Sequence, residues 1–399
     1  MTWYKRCVTH RYDAVIVGAG PAGSTCALRL SRAGANVLLV DRARFPRDKP
    51  CGGAVTRRAA LNLPCDVSPV VEDVVTVADL VGADGTLRAR ESTAPIAYMT
   101  QRLRLDHYLV EQAAAAGVDV RDGVGRVTLD GPATTAVIDG ERYHADVLIG
   151  ADGANGTAAQ SLRLGEIRAT GIALEGNLPR TAADVSRYEG RAVVDFGVMR
   201  GGYGWIFPKA DHINVGVGGW LSQGTQLRGC LEQFCRRYGL PFDRLESIRG
   251  HRLPMKVPRA TVARGRTCVI GDAAGLVDPL TGDGMYECFV SAELAMQQTI
   301  AVLNGDASDL HAYQDSLDRR LRSHHWASWV LKRAFDRFPQ TTYRVATSPQ
   351  VWSVIRDLLT GELPDFESAA GRRLPLRLIG TLAARAKAAS EPTLALERS

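Results

Sequence analysis

No stretch of this 399-residue chain offers the roughly 18 to 20 continuous apolar residues of a bilayer-spanning helix, because Gly, Asp or Arg cuts every hydrophobic run. A transmembrane protein is not expected. Met1–His10 carries charges but no apolar core, so it does not read as a secretory leader, and a cytoplasmic protein is expected. Lysine is scarce, at 6 against 43 arginines, a skew that a GC-rich coding sequence explains better than nucleic-acid binding. No nucleic-acid partner is expected. The eight cysteines form no CxxC pair and no Cys/His pair at zinc spacing, so no structural metal is expected and any functional Cys must be argued from its neighbours.

What remains is 45% apolar residues, 40 glycines and a charge of +6, which suits about two globular domains and excludes a disordered chain. The charge is unevenly placed. From Arg319 onward there are 14 basic and 7 acidic residues, which leaves residues 1–318 at a net of −1.

Tyr12–Val17 reads as a buried parallel strand that runs into Gly18-Ala19-Gly20-Pro21-Ala22-Gly23 and then a helix ending near Gly34. This is GxGxxG in the strand–turn–helix setting it requires. Gly18 permits the turn, Gly20 lets a pyrophosphate approach the backbone, and Gly23 allows close packing below a helix N-terminus that attracts anions. Gly18, Gly20, Pro21, Ala22 and Gly23 are therefore cofactor-binding candidates. A second strand ends on Asp41, whose carboxylate can accept both ribose hydroxyls of an adenosine.

Further along, Thr267–Ile270 is a strand ending in Gly271-Asp272, and Pro279–Gly284 opens a long helix. Asp272 can hold ribityl hydroxyls. The N–H groups of Gly284 and Met285, beside Gly282, can stabilise negative charge at flavin N1 and O2. Between these lies Val147–Ile149 with an Asp152-Gly153 turn. This three-part order resembles that of p-hydroxybenzoate hydroxylase-like flavoproteins and points to FAD rather than NAD. No second GxGxxG follows a strand, so the external reductant, NAD(P)H or a ferredoxin-type donor, stays open.

Two middle segments carry chemistry. Arg47-Asp48-Lys49-Pro50-Cys51-Gly52-Gly53 should pass over the flavin, with Cys51 as proton donor or packing residue and Lys49 able to lower its thiol pKa. In Tyr203-Gly204-Trp205-Ile206-Phe207-Pro208-Lys209, strand periodicity puts the three aromatic rings on one face, either as the wall of an apolar pocket or as a packed sheet face.

KPCGG at 49–53, YGWIFPK at 203–209 and GDAAGLVDPLTGDG at 271–284 resemble the geranylgeranyl reductase family of FAD enzymes, which saturate isolated C=C bonds of prenyl chains. The resemblance implies that Ala22, Asp41, Arg42, Gly52, Gly53, Arg102, Val124, Asp272, Gly284 and Met285 touch FAD, and that Cys51, Tyr203 and Trp205 line the catalytic pocket. Two departures stand out. Met285-Tyr286-Glu287-Cys288 replaces the family's small residues, which should bring bulk and a carboxylate close to the flavin, and the Asp152 turn lacks the usual Ser and Arg.

Reduction of an unactivated alkene needs a hydride from flavin N5 and a proton, with cationic charge between the two steps. Aromatic faces stabilise such charge, and an apolar pocket binds the chain at about 0.8 kcal/mol per CH₂. Tyr203 and Trp205 are expected to position the chain, and Cys51 or Tyr203 to relay the proton. A monooxygenase or halogenase on the same scaffold is the competing expectation, although the halogenase segment normally has Trp at position 203 and Ile at 207. A flavin-loaded lipid carrier is the non-enzymatic one.

The expected class is α/β: a Rossmann-type FAD-binding domain (11–65, 100–160, 262–310), an inserted mixed β-sheet substrate domain (66–99, 161–261) and a helical C-terminal region (311–399). Leu103–Ala116 is expected as a helix, with patches at Trp326, Trp329 and Val330 and at Val351, Ile355 and Leu358 further on. At 372–387, apolar residues on one side and Arg and Lys on the other suit peripheral membrane contact or packing on the protein itself.

Overall fold

The computed structural model describes residues 10–256, 260–364 and 368. The basic segment 372–387 lies outside the described residues.

Strand β1 (His10–Val17) leads through the glycine loop into α1 (Pro21–Arg32) and β2 (Val37–Val40). Next come β3 (Ala54–Thr56), α2 (Arg57–Ala60), β4 (Asp73–Val75), β5 (Val77–Val81), β6 (Leu87–Glu91), β7 (Ala97–Met99), α3 (Arg102–Ala115) and β8 (Asp119–Arg121). Strands β9 (Val127–Asp130), β10 (Thr135–Ile138) and β11 (Glu141–Gly150) precede α4 (Ala158–Leu162) and β12 (Ile167–Pro179). The middle of the chain continues with α5 (Ala182–Tyr188), β13 (Arg191–Asp195), β14 (Tyr203–Pro208), β15 (His212–Trp220), α6 (Leu227–Tyr238) and β16 (Glu246–Lys256). After β17 (Ala263–Arg264) and β18 (Thr267–Val269) come the helices α7 (Met285–Leu303), α8 (His311–Arg337), α9 (Pro339–Ala346) and α10 (Pro349–Thr360).

An eight-stranded sheet runs β17-β18-β11-β1-β2-β8, with β10 and β9 added antiparallel from β11. Its central pairs are parallel, and Val17 stands opposite both Gly150 and Val40, while Gly150 stands opposite Val269. All four strands therefore end at one edge. The Gly18 loop, Asp41, Asp152 and Asp272 follow those ends, where open α/β sheets bind ligands. Ala14 and Ile16 pack toward α1, α3 and α7, and Val15 and Val17 toward the β10–β11 hairpin. Burial on both faces explains the unbroken apolar run of β1.

The second sheet has seven strands in the order β16-β12-β15-β14-β13-β5-β6, antiparallel except for the β13–β5 pair. It is the mixed sheet that the sequence suggested. Helix α6 covers one face through Leu231 and Phe234, packed on Ile206, Val215 and Val217. A third sheet, β3-β7-β4, joins residues on both sides of position 65. Phe207 packs into the cluster that this small sheet forms with Tyr343 of α9 and Trp352 of α10.

Residues 311–360 are helical, and of the expected patches Trp329 and Leu358 are buried. Trp329 stacks on Trp220 of β15, ring centroids 6.2 Å apart. Among the described residues no helix is long and apolar enough to cross a membrane.

Candidate active site

The glycine loop is built as GxGxxG requires. A Cβ on Gly18 would lie 2.3 Å from the Ala151 carbonyl oxygen, and one on Gly23 only 1.8 Å from the Gly18 oxygen. Gly20 is different: its Cβ would meet nothing nearer than the Arg47 guanidinium at 3.6 Å and that of Arg102 at 4.0 Å. Space and positive charge are thus kept over Gly20, where a pyrophosphate would sit on the N-terminus of α1. Asp41 Oδ2 accepts from the Ala19 N–H at 2.7 Å and Oδ1 from Ala43 at 2.8 Å, which fixes its carboxylate beside the loop. Pro21 starts α1, and Ala22 is buried against Gly271. Val124 is a buried neighbour of Asp41, to whose carbonyl it donates, whereas Arg42 is exposed.

Arg102 is held by a buried pair that sequence reasoning missed. Its Nε and Nη2 donate to Asp106 Oδ1 and Oδ2 at 2.6 and 2.8 Å, and Arg47 Nη1 reaches Asp106 at 2.9 Å. Asp106 is fully buried. The i,i+4 spacing of Arg102 and Asp106 on α3 was the available signal.

Asp152 has its backbone under Gly18, and its Oδ2 accepts from Thr157 at 2.6 Å and Ala158 at 2.9 Å, so this oxygen caps α4 while Oδ1 has no hydrogen-bond partner. Asp272 lies 3.4 Å from Lys49 Nζ and 3.9 Å from His251 Nε2. Burial works to raise its pKa, but Lys49 and His251 outweigh it and hold the carboxyl well below its ordinary range. Lys49 is thus engaged with Asp272, and the Cys51 thiol instead accepts the Gly53 N–H at 3.4 Å. Gly282 packs 3.6 Å from the Tyr203 hydroxyl, measured to its added Cβ, and Gly284 likewise 3.1 Å from Asp272. The Met285 N–H at the start of α7 donates to Asp283 Oδ1 at 2.9 Å, so Asp283 covers the helix end that the sequence assigned to flavin N1 and O2. Burial, then the Glu287 charge, push the Asp283 carboxyl up to about 7.

Around Cys51 the structure assembles a group that the motifs did not announce. The Cys51 N–H donates to Glu175 Oε1 at 2.6 Å, and Lys209 Nζ donates to the Gly52 carbonyl at 2.7 Å. Glu175, from β12, and Lys209, just past β14, are both buried. Burial pushes the Glu175 carboxyl up to about 7, against the Cys51 N–H and the Lys209 charge, and pushes Lys209 down to about 8. A cleft beside them is lined by Cys51, Arg102, Glu175, Asn177, Lys209 and Arg249 among others. It is lined mostly by polar and charged side chains, and the three aromatic rings of β14 are not among its lining residues.

The aromatic row lies behind Gly52. Rings of Tyr203 and Trp205 are 5.9 Å apart and those of Trp205 and Phe207 6.2 Å, so all three share one face of β14. Trp205 lies flat over Gly216, its partner on β15, where a Cβ would come within 2.1 Å of the indole. Its Nε1 donates to Asn214 Oδ1 at 2.7 Å. A Cβ on Gly52 would be 3.0 Å from Phe207 and 3.2 Å from Trp205 Nε1, so the Cys51 loop presses on this wall. Gly53 packs on the Thr100 carbonyl with φ at +69°. The Tyr203 hydroxyl donates to the Thr281 carbonyl, and burial pushes its pKa up, so its proton is already engaged.

These features fit an FAD: an open, positively charged loop at Gly20, a fixed Asp41 carboxylate, and Asp272 at the carboxyl edge of the sheet. Comparison with known proteins agrees. The family described as an FAD binding domain matches residues 11–327. Geranylgeranyl diphosphate reductase of Rhodobacter capsulatus is 33% identical over 323 residues, covering 75% of this chain and 78% of the relative. A geranylgeranyl bacteriochlorophyll reductase-like protein from Thermoplasma acidophilum superposes with a TM-score of 0.78 at 20% identity, over 92% of this chain and 97% of that one. A flavin-dependent brominase shares the fold at a TM-score of 0.74 and 19% identity, over 95% of this chain and 99% of that one. This chain is an FAD-dependent oxidoreductase that belongs to the geranylgeranyl reductase family.

Proposed function

We propose that the protein reduces isolated C=C bonds in the prenyl chain of an amphiphilic substrate of the geranylgeranyl type. The observation that carries this reading is the Cys51–Gly52 loop, in which Glu175 accepts the Cys51 N–H and Gly52 lies against Trp205 and Phe207. Bound and reduced by an external donor, FAD would supply the hydride and end oxidised. The ring faces of Trp205 and Phe207 stabilise positive charge on an alkene carbon and exclude water. Glu175, still protonated up to about pH 7, holds a proton beside the Cys51 backbone, and Lys209 fixes the loop through the Gly52 carbonyl. The charged lining of the cleft suits the polar head of the substrate, which leaves its chain to the aromatic wall.

Glu175→Gln should lower alkene turnover about 100-fold, the range of a general acid. The wild-type rate should fall as pH rises through about 7, where Glu175 loses its proton, and the variant should lack that limb. Cys51→Ala should slow turnover about tenfold if the thiol passes the proton on; an unchanged rate would remove Cys51 from the relay. The reading itself is tested by adding geranylgeranyl diphosphate to the reduced holoenzyme without oxygen. Return of the oxidised flavin absorbance is expected, and a spectrum that stays bleached would contradict it.

A further inference from the structure

Glu287, the unusual carboxylate after the GDG turn, does not enter the cleft beside Cys51. It points into the gap between α7 and α8, where its Oε1 lies 3.7 Å from His324 Nε2 and 3.7 Å from His325 Nε2. Asp278 Oδ2 lies 3.4 Å from the same His324 nitrogen. Ligand atoms of Asp278, Glu287 and His324 are all within 4.8 Å of one another. We propose that Asp278, Glu287 and His324 hold one divalent transition-metal ion, with zinc the best match.

Distance supports a metal over a hydrogen-bonded network. An N–H···O bond between imidazole and carboxylate closes to about 2.7–3.2 Å. Bonds of about 2.1 Å in a tetrahedron separate donor atoms by about 3.4 Å. The measured 3.4 and 3.7 Å separations match the edges of such a site. Burial gives an independent reason. Asp278 is 2% exposed and its Oδ2, aimed at His324, has no hydrogen-bond partner. An unpartnered polar atom at that depth is costly, and a ligand on it would remove the cost.

The supporting shell is already in place. Asp278 Oδ1 accepts from the N–H groups of Leu280 and Thr281 at 3.0 and 2.8 Å and from Thr281 Oγ1 at 2.8 Å, which leaves Oδ2 directed at the histidine. Arg58 lies over the Tyr286 ring, 3.7 Å from its centroid, and donates to the Pro364 carbonyl. Two buried carboxylates and one imidazole, neutral when it ligates, form a three-residue donor set for zinc that leaves a fourth position open, with iron(II) or manganese(II) weaker matches. The ion would tie the 278–284 loop and the first turn of α7 to α8. That loop also carries the Thr281 carbonyl held by Tyr203.

The test is metal analysis of full-length holoenzyme purified on a tag without histidines and without chelator, followed by cobalt(II) titration of the metal-stripped protein. About one divalent transition metal per chain is expected, together with the visible absorption of tetrahedral cobalt. His324→Ala and Glu287→Gln should each weaken cobalt binding about 10- to 100-fold. His311→Ala, at the exposed start of α8, should leave it unchanged. Wild-type protein that neither retains metal nor develops the cobalt spectrum would overturn the proposal. So would folded His324→Ala and Glu287→Gln proteins that bind cobalt as the wild type does. Should the variants fail to fold, the wild-type metal content and cobalt spectrum decide alone.

Discussion

Gly20→Ala should melt like the wild type but lose its flavin, whereas Gly23→Ala should fail to form the loop at all. The two glycines are three residues apart in one motif, and the space around them separates their roles. A Cβ on Gly23 would sit 1.8 Å from the Gly18 carbonyl oxygen and 3.2 Å from Ala151 Cβ. Neither backbone can yield easily, because the Gly18 N–H is bound to the Val40 carbonyl at 2.7 Å and the Ala151 N–H to Val17 at 2.7 Å. Overpacking of that kind costs about 3 kcal/mol or more. The same methyl on Gly20 meets only guanidinium tips, at 3.6 and 4.0 Å, and occupies the space of the pyrophosphate. A loss of at least about tenfold in flavin affinity, or about 1.4 kcal/mol, is expected. Thermal melts of apoprotein and flavin released on denaturation check both. Gly229→Ala is the control: its Cβ meets nothing within 4 Å in α6, and it should gain about 0.5–1 kcal/mol.

Asp106→Ala should be the most damaging single change outside the glycine loop. It leaves the Arg102 charge, 6% exposed, without its bidentate partner and frees Arg47 as well. Breaking a buried pair from one side costs about 3–5 kcal/mol. Because Asp106 also aims Arg102 toward Gly20, flavin retention should fall with stability. Denaturant unfolding monitored by far-UV circular dichroism measures the first and flavin absorbance the second. Unchanged unfolding would show that Arg102 is not held as described.

Local pattern made the cofactor half legible. The apolar run of β1, the glycine loop and Asp41 are contiguous, and the parallel register carries them to one edge. The aromatic alternation in β14 was legible for the same reason, since a period of two fixes the face. Pairings across long sequence distances were not. Glu175 meets Cys51 across 124 residues and Lys209 meets Gly52 across 157, and neither carries a local signal beyond a charge within an apolar strand. Asp152 was legible as a turn residue, whereas its capping of α4 through the N–H groups of Thr157 and Ala158 was not. Glu287 stands out in the sequence as a departure from the family's small residues, and its place after the GDG turn points to the flavin pocket. Its partners on α8 lie 37 and 38 positions on, beyond the reach of any metal-spacing rule.

The most direct measurement of the account is product mass. Holoenzyme reduced with dithionite is incubated without oxygen with geranylgeranyl diphosphate, and the extracted prenyl product is weighed by mass spectrometry. A gain of two hydrogens for every bond reduced, formed about 100-fold more slowly with Glu175→Gln, is the predicted result. An unchanged mass, or an added oxygen or halogen that appears only when air and halide are supplied, would contradict it.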